Sequence, residues 1–410
     1  MKNIVILGAG TGGTMMAAKL RRALDPDEWS LTVIDRDDRH IYQPGLLFLP
    51  FGMYNERDLF KPRSRFIPSG VAMVFGEIDV IEPEQNRVRM AGGRTLDYDL
   101  LIIATGSRIA PEDTEGMTAA GWRDSVFDFY TLEGAQALGR SLQRFDGGQL
   151  VVHMTDMPIK CPVAPLEFAF LADWYLRENG LREKTRLTYV TSLSDAFTKP
   201  RASAALADLL RTKEIEIEPD FAAASVDGSA GVLKSWDDRE VPFDMLVTVP
   251  IHRGSEVIAR SGMGDDLDFV PTDPYTLVAR DWPNVFVIGD ATDVPTSKAG
   301  SVAHFESEIL FDNVLRWVGG REPVSAFDGH ANCFIETGFG KAVLLDFNYD
   351  TEPLPGKFPL PGLGPLSLLA ESEANHWGKL AFRSVYWNLL MRGADLSAVG
   401  PAMPMAGKWT

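Results

Sequence analysis

Only two residues of the 410 carry a thiol, Cys161 and Cys333, which makes them the first candidates for chemistry. Cys161 stands in Thr155-Asp-Met-Pro-Ile-Lys-Cys-Pro-Val-Ala-Pro165, directly before a segment of helical composition, Leu166 to Asn179. A thiol at a helix start has its thiolate favoured by the dipole and the free amides, and the neighbouring Lys160 pushes the same way. The expectation is a redox-active thiol with a depressed pKa; the plain alternative is a small buried hydrophobe. Two cysteines are too few for a disulfide-stapled fold or a zinc site built mainly from thiolates. Glu167, about a turn and a half further on, is a candidate proton carrier, against the plain alternative of a solvated helix residue.

A second set of residues suits a dinucleotide. Gly8-x-Gly10-x-x-Gly13, with Gly12 inside it, follows the aliphatic run Ile4 to Leu7 and enters a helical segment, Thr14 to Leu24. Such glycines allow a tight strand-to-helix turn, close approach of a pyrophosphate and close packing of helix on sheet. The helix start then favours the anion. Asp35, at the end of a second strand Leu31 to Ile34, has the spacing of a carboxylate that binds ribose hydroxyls. Two later strands deliver small or acidic residues to their carboxyl ends, where ligands sit in open α/β sheets: Thr105 and Gly106 after Leu100–Ala104, and Gly289 and Asp290 after Val285–Ile288. A helix cap is the plain alternative for Asp290. Lys298 and Gly300, ahead of a helix Ser301 to Val318, and Ile78 complete the expected cofactor contacts.

The elements that must position these residues read as α/β. The stretch His40 to Gly52 is a loop by composition. Val71 to Val74, Glu77 to Ile81, Arg87 to Met90 and Thr95 to Tyr98 read together as a small antiparallel meander. A second strand–turn–helix–strand unit runs from Gln149 to Thr191, but its turn offers Met157, Pro158 and Ile159 where a pyrophosphate needs glycine. That half keeps the skeleton of a nucleotide-binding unit without its nucleotide, and a cysteine stands in its place. From Phe327 to Phe347 the pattern is loop, strand, turn, strand. After Asp350 five prolines predict an irregular stretch, then two amphipathic segments, Leu366 to Glu371 and His376 to Leu390. The second sets Trp377 and Trp387 on an apolar face, with Lys379, Arg383 and Arg392 on others. That suits a bilayer interface, or equally a helix packed on its own domain. The expected fold is two Rossmann-like dinucleotide-binding domains, residues 1–110 plus 270–325 and residues 111–269, with a small membrane-associating C-terminal region, 326–410.

Composition narrows the partners. The formal charge of −17 disfavours nucleic acid and broad adhesion to an anionic membrane, so membrane contact must be local and apolar. No leader of the signal-peptide type opens the sequence, and no run of about 18 apolar residues occurs. A peripheral membrane protein is expected.

The glycine motif, Ala104-Thr-Gly106, Gly289-Asp290 and the order of the units resemble the flavoprotein disulfide-reductase superfamily. Lys160-Cys161-Pro-Val-Ala-Pro-Leu-Glu167, Asn332-Cys333-Phe-Ile-Glu336 with Gly340-Lys341-Ala342, and Pro295-Thr-Ser-Lys-Ala-Gly300 narrow this to the sulfide:quinone oxidoreductases and the related flavocytochrome c sulfide dehydrogenase flavoprotein. The resemblance implies FAD in the first site, and Cys161 and Cys333 as a redox pair that takes electrons from sulfide. It also implies transfer of those electrons to a membrane quinone and a possible homo-oligomer. Lys341 is a candidate for stabilising reduced quinone or flavin by charge. No third cysteine is left for attachment, so the FAD is expected to be non-covalent. No histidine lies in 191–200, where many members have one. Three other readings stay open: a type II NADH:quinone oxidoreductase, electron transfer to a haem protein, and a non-catalytic flavin-containing sulfur carrier.

Overall fold

The computed structural model describes residues 1–396 and 399–409. Three sheets organise it. The first is all parallel. It is built on β1 (Lys2–Leu7), which enters α1 (Thr11–Ala23), with β2 (Trp29–Asp35) and β3 (Val71–Phe75) on one side. On the other side lie β4 (Leu100–Ile103) and β8 (Val285–Val287), giving the order β8-β4-β1-β2-β3. Parallel strands covered on both faces need continuous apolar runs, and β4, Leu-Leu-Ile-Ile, is buried throughout.

β3 corrects the sequence reading. Val71–Phe75 is no part of a meander; it pairs in parallel with β2, from Leu31 opposite Val71 to Asp35 opposite Phe75. The antiparallel meander is three-stranded, Ile78–Glu82, Arg87–Met90 and Thr95–Asp97.

The second sheet repeats the parallel plan. β5 (Gly148–Met154) and β6 (Thr185–Thr191) flank α2 (Ala164–Glu178) in sequence, and β7 (Met245–Val249) lies on the other side of β5. Short strands Val126–Phe127 and Glu216–Glu218 close its edges, again in parallel. A two-stranded ribbon, Ser107–Ile109 with His252–Gly254, joins the chain leaving β4 to the chain leaving β7.

Then comes α3 (Gly300–Val318), and the third sheet follows it. β9 (Ala331–Gly338) and β10 (Lys341–Phe347) form a hairpin that places Cys333 opposite Leu345. The proline-rich stretch expected to be irregular is a second hairpin, β11 (Gly356–Leu360) and β12 (Gly364–Leu368), and β12 pairs in parallel with β10. The amphipathic segment Leu366 to Glu371 is therefore strand and turn. Pro359 and Pro365 face each other near the hairpin tip, where few ladder bonds are needed.

The final helix, α4 (Glu373–Asn388), is capped by Ser372, whose side chain accepts from the Asn375 amide. Asn375 is fully buried; its amide donates to the carbonyls of Ala342, Ser367 and Ala370 and its carbonyl accepts from Ser367. Gly378 then lets the helix lie close on β9: an added Cβ would stand 3.0 Å from the Phe334 ring. No helix among the described residues is long and apolar enough to cross a membrane.

Candidate active site

The first glycine turn is built as the spacing predicts. A Cβ on Gly8 would fall 2.3 Å from the Ala104 carbonyl oxygen, and one on Gly13 would fall 1.9 Å from the Gly8 oxygen. Those two glycines serve backbone-to-backbone packing. A Cβ on Gly12 would abut the Ile288 side chain at 3.0 Å. Gly10 differs: nothing lies within 4 Å of the place a Cβ would take, so its side of the turn is open. Asp35 ends β2 beside it and accepts from the Ala9 amide at 2.7 Å, with the Arg63 guanidinium 2.9 Å away. Gly76, just after β3, donates to the Asp35 carbonyl, which brings Ile78 to the same end of the sheet, half-buried.

The β4 turn leaves the Thr105 and Ser107 hydroxyls buried without partners. Gly106 and Gly289 both take left-handed backbone, φ +68° and +73°. The Gly289 amide donates at 2.6 Å to Glu306, a residue of α3 that the sequence reading missed. Burial pushes the Glu306 carboxyl up to about 7. Asp290 caps no helix; α3 starts ten residues later, at Gly300. Lys298 is buried, bonded to the Asp290 and Thr292 carbonyls and 4.1 Å from the centre of the Phe269 ring. Open Gly10, the terminal Asp35 and the orphaned hydroxyls beside Gly106 form a donor set that fits a dinucleotide.

The segment Ser297–Lys298 also joins the two cysteines. The Cys161 amide donates to the Lys298 carbonyl at 2.7 Å, and the Ser297 side chain lies close enough to the Cys333 thiol to favour its thiolate. Each sulfur lies close enough to Glu167 and Lys379 to feel their charges, and Cys161 feels that of Cys333. Both are free thiols. Cys161 is held in the left-handed region, φ 47°, a conformation a non-glycine residue keeps only where its surroundings impose it.

The thiol electrostatics run against the expected depression. Burial, helped by the Glu167 carboxylate, pushes the Cys161 thiol well above its ordinary value, against the opposing Lys379 ammonium. Burial likewise pushes Cys333 up to about 12. Cys161 precedes the helix-capping residue, Val163, by two positions, and the Ala164 amide at the helix start does act to lower the thiol, but burial outweighs it. Lys160 does not act on it; its ammonium reaches toward the Ser107 carbonyl at 3.4 Å, among the charges of Asp290 and Asp128.

The ammonium beside the cysteines is Lys379, which the helical pattern sets off the apolar face of the last helix. It donates to Glu167 at 2.6 Å and to the Phe334 carbonyl at 2.9 Å. Glu167 is no solvated residue: it is fully buried and also accepts from the Glu336 amide at 2.8 Å. Lys341, the candidate for stabilising reduced quinone or flavin, is exposed at the start of β10, where its charge acts near Lys213. No side-chain period could have signalled Lys379, because its burial depends on how α4 lies across β9.

Residues 2–152 match the family model of the pyridine nucleotide-disulphide oxidoreductases. The chain is 27% identical over 400 residues to the mitochondrial sulfide:quinone oxidoreductase of Mus musculus, covering 95% of this chain and 86% of that one. It is 22% identical over 381 residues to a type II NADH:quinone oxidoreductase of Staphylococcus aureus, covering 87% and 92%. The crystal structure of sulfide:quinone oxidoreductase from Aquifex aeolicus superposes with a TM-score of 0.81 at 20% identity, covering 96% of this chain and 92% of that one.

Proposed function

We propose, from the premise that this chain is a homologue of the sulfide:quinone oxidoreductases and an FAD-dependent oxidoreductase, that it oxidises sulfide to sulfane sulfur and reduces a membrane quinone. The observation that carries the reading is that Cys161 and Cys333 both lie against one turn, Ser297–Lys298, close enough for Cys161 to feel the charge of Cys333, and that Lys298 bonds the Asp290 carbonyl. Residues 1–110 with 270–325 then form the FAD unit, 111–269 the unit carrying Cys161, and 326–410 the region carrying Cys333.

Gly10, Asp35, Thr105, Gly106, Asp290 and Lys298 would hold FAD without a covalent bond. When bound, FAD supplies a two-electron acceptor that can be re-oxidised by a quinone. The chain's own residues do the sulfur chemistry. Hydrosulfide attacks one sulfur of an oxidised Cys161–Cys333 pair; a new sulfur–sulfur bond forms, the bond between the cysteines breaks, and the second cysteine leaves as a thiolate. That thiolate carries the electron pair taken from sulfide. Lys379 lies where it offsets the negative charge formed, and Glu167 where it accepts the persulfide proton.

A quinone dwells in lipid, and the C-terminal region carries apolar side chains in solvent: Leu363 at the tip of the second hairpin is 82% exposed and Trp377 on α4 is 66% exposed. These suit peripheral contact with a bilayer interface. The inner face of α4 is already spent on the protein, since Tyr386 and Trp387 are buried.

The NADH reading draws support from the Staphylococcus relative. It requires a nucleotide on the turn after β5, where the buried Ile159 and the side chains of Met157 and Pro158 take the place of glycine. Replacing Cys161 or Cys333 by serine should abolish bleaching of the flavin by sulfide and leave FAD bound. Bleaching at the normal rate in both variants would overturn the cysteine mechanism, and bleaching by NADH in place of sulfide would favour the alternative.

A further inference from the structure

Outward from the thiols, the cluster of ionisable side chains continues past Glu167 and Lys379. The Glu336 amide is bonded to Glu167, and the Glu336 carboxylate accepts from His376 Nδ1 at 2.8 Å. His376 and Lys379 stand three positions apart on α4 and therefore share one face. Glu336 feels the charges of both Lys379 and Glu167. Its side chain is 1% exposed, whereas that of His376 is 13% exposed and reaches the surface next to Trp377. One oxygen of each carboxylate, Glu167 Oε2 and Glu336 Oε1, is buried and has no partner. Two orphaned carboxylate oxygens in one cluster are costly unless a proton, or a water that carries one, visits them.

We propose that Glu336 and His376 form, with Glu167 and Lys379, a proton path from the cysteine pair to the protein surface. This rests on the sulfide-oxidising reading. The proton comes from the persulfide that forms when hydrosulfide opens the disulfide. The S–H bond breaks, its electrons stay on sulfur, and the proton passes to Glu167. Lys379 and Glu336 relay it, and His376 releases it to water. No electron moves with it, and the positive charge leaves as the sulfur chain becomes anionic. The other ionisable groups facing this cluster are Cys161, Cys333, Tyr42, Tyr54, Tyr130, Arg383 and its partner Asp58. None of them bonds to Glu336, so the carboxylate and His376 are the outward step.

A purely structural clamp would use the same contacts, so the test must separate the two. Sulfide-dependent bleaching of the bound flavin is followed by stopped flow in H2O and D2O for the wild type, Glu336→Gln and His376→Ala. The glutamine keeps a hydrogen-bonding side chain beside His376 but carries no proton. General acid–base steps contribute about 100-fold or more; because water can take part of the path, the expected slowing is about tenfold or more, with a larger solvent isotope effect. Added imidazole should restore His376→Ala, since that end is open to solvent. Thermal melting of each variant within about 2 °C of the wild type would separate loss of proton transfer from loss of packing. Should both variants bleach at the wild-type rate with an unchanged isotope effect, the path is refuted. The same holds if the slowed His376→Ala ignores imidazole. Should the wild type itself not bleach with sulfide, the functional reading fails instead. In that event the path is tested with dithiothreitol as the disulfide reductant, reading the same isotope effect and imidazole rescue.

Discussion

Replacing Lys379 by methionine keeps the aliphatic stem and removes the one ammonium that faces the buried Glu167. The contact is 2.6 Å, and the two side chains are 12% and 1% exposed. At that distance, with an effective dielectric constant of about 20, the attraction is about 6 kcal/mol, most of it offset by desolvation of the two ions. Breaking a buried pair costs about 3–5 kcal/mol because the remaining charge has no partner. Glu167 keeps the Glu336 amide as a donor, which places the expected loss at the low end, about 3 kcal/mol. With about 2.1 cal/mol/K of unfolding entropy per residue, 410 residues give about 0.9 kcal/mol/K, so the melting temperature falls by about 3 °C. The loss has a definite pH dependence. Burial already holds the Glu167 carboxyl above its ordinary range, and loss of Lys379 raises it further. The folded variant then binds more protons than the unfolded chain between the ordinary carboxylate range and the raised value, so its stability falls as pH rises through that window. Scanning calorimetry at pH 5 and pH 8 should show the larger deficit at pH 8. Adding Glu167→Gln should recover most of it, since a neutral pair leaves no charge buried. A deficit equal at both pH values, or untouched by the second substitution, would refute the assignment of Lys379 as counter-ion to Glu167.

Gly10→Ala should fold normally, because φ at Gly10 is −78° and nothing lies within 4 Å of the new methyl, yet FAD content should fall at least about tenfold as the methyl enters the pyrophosphate's approach; unchanged FAD content with normal circular dichroism would move the phosphates elsewhere. Glu306→Gln should stabilise the protein at pH 8 by up to about 3 kcal/mol and leave it unchanged near pH 4. The carboxyl is raised to about 7, so its penalty grows as pH climbs from the ordinary carboxylate range to that value and then levels off; urea unfolding at both pH values checks it. In the reduced protein, Cys333 should react with iodoacetamide at pH 8 at least about a hundredfold more slowly than a free thiol, because its pKa is pushed up to about 12. Mass-resolved alkylation against pH measures this, and a thiol titrating near 7 would show that Lys379 outweighs burial.

The parallel sheets and the glycine turn were legible because they are local: an apolar run, a turn and a helix start follow one another in the chain. Val71–Phe75 was misread because a half-exposed edge strand and a meander strand share the same alternation, and only the pairing with β2 decides between them. The second hairpin was hidden because Pro359 and Pro365 argue against strands unless they sit at an edge tip, a fact of pairing rather than composition. At the site, Cys161, Glu167 and Cys333 were picked out by type and motif. Their electrostatics were not, because burial, which depends on tertiary packing, outweighs the pull of the Ala164 amide at the helix start on the Cys161 thiol. Glu306 gave no signal; only the turn at Gly289 reveals what its carboxylate holds.

The last helix is where local reading and tertiary structure part most sharply, and the reason bears on function. Its pattern of Trp and basic residues suited a membrane face, yet its inward side binds two separate places. At one end His376 and Lys379 meet Glu336 and Glu167 beside the thiols. About ten residues on, the Tyr386 hydroxyl bonds His40 at 2.6 Å and Thr11 at 2.8 Å, over the start of α1 next to the glycine turn. Burial lowers His40 to about 4, so this imidazole is neutral and the contact is a hydrogen bond rather than an ion pair. A 16-residue helix is about 24 Å long, stiff on that scale, and pinned by buried polar contacts at both ends. Lys379 thus serves the interior, Arg383 pairs with the part-exposed Asp58, and the outward apolar surface falls to Trp377 and the hairpin tip. A shift of this helix would disturb the cysteine electrostatics and the dinucleotide turn together, which ties whatever touches its outer face to both halves of the redox chemistry.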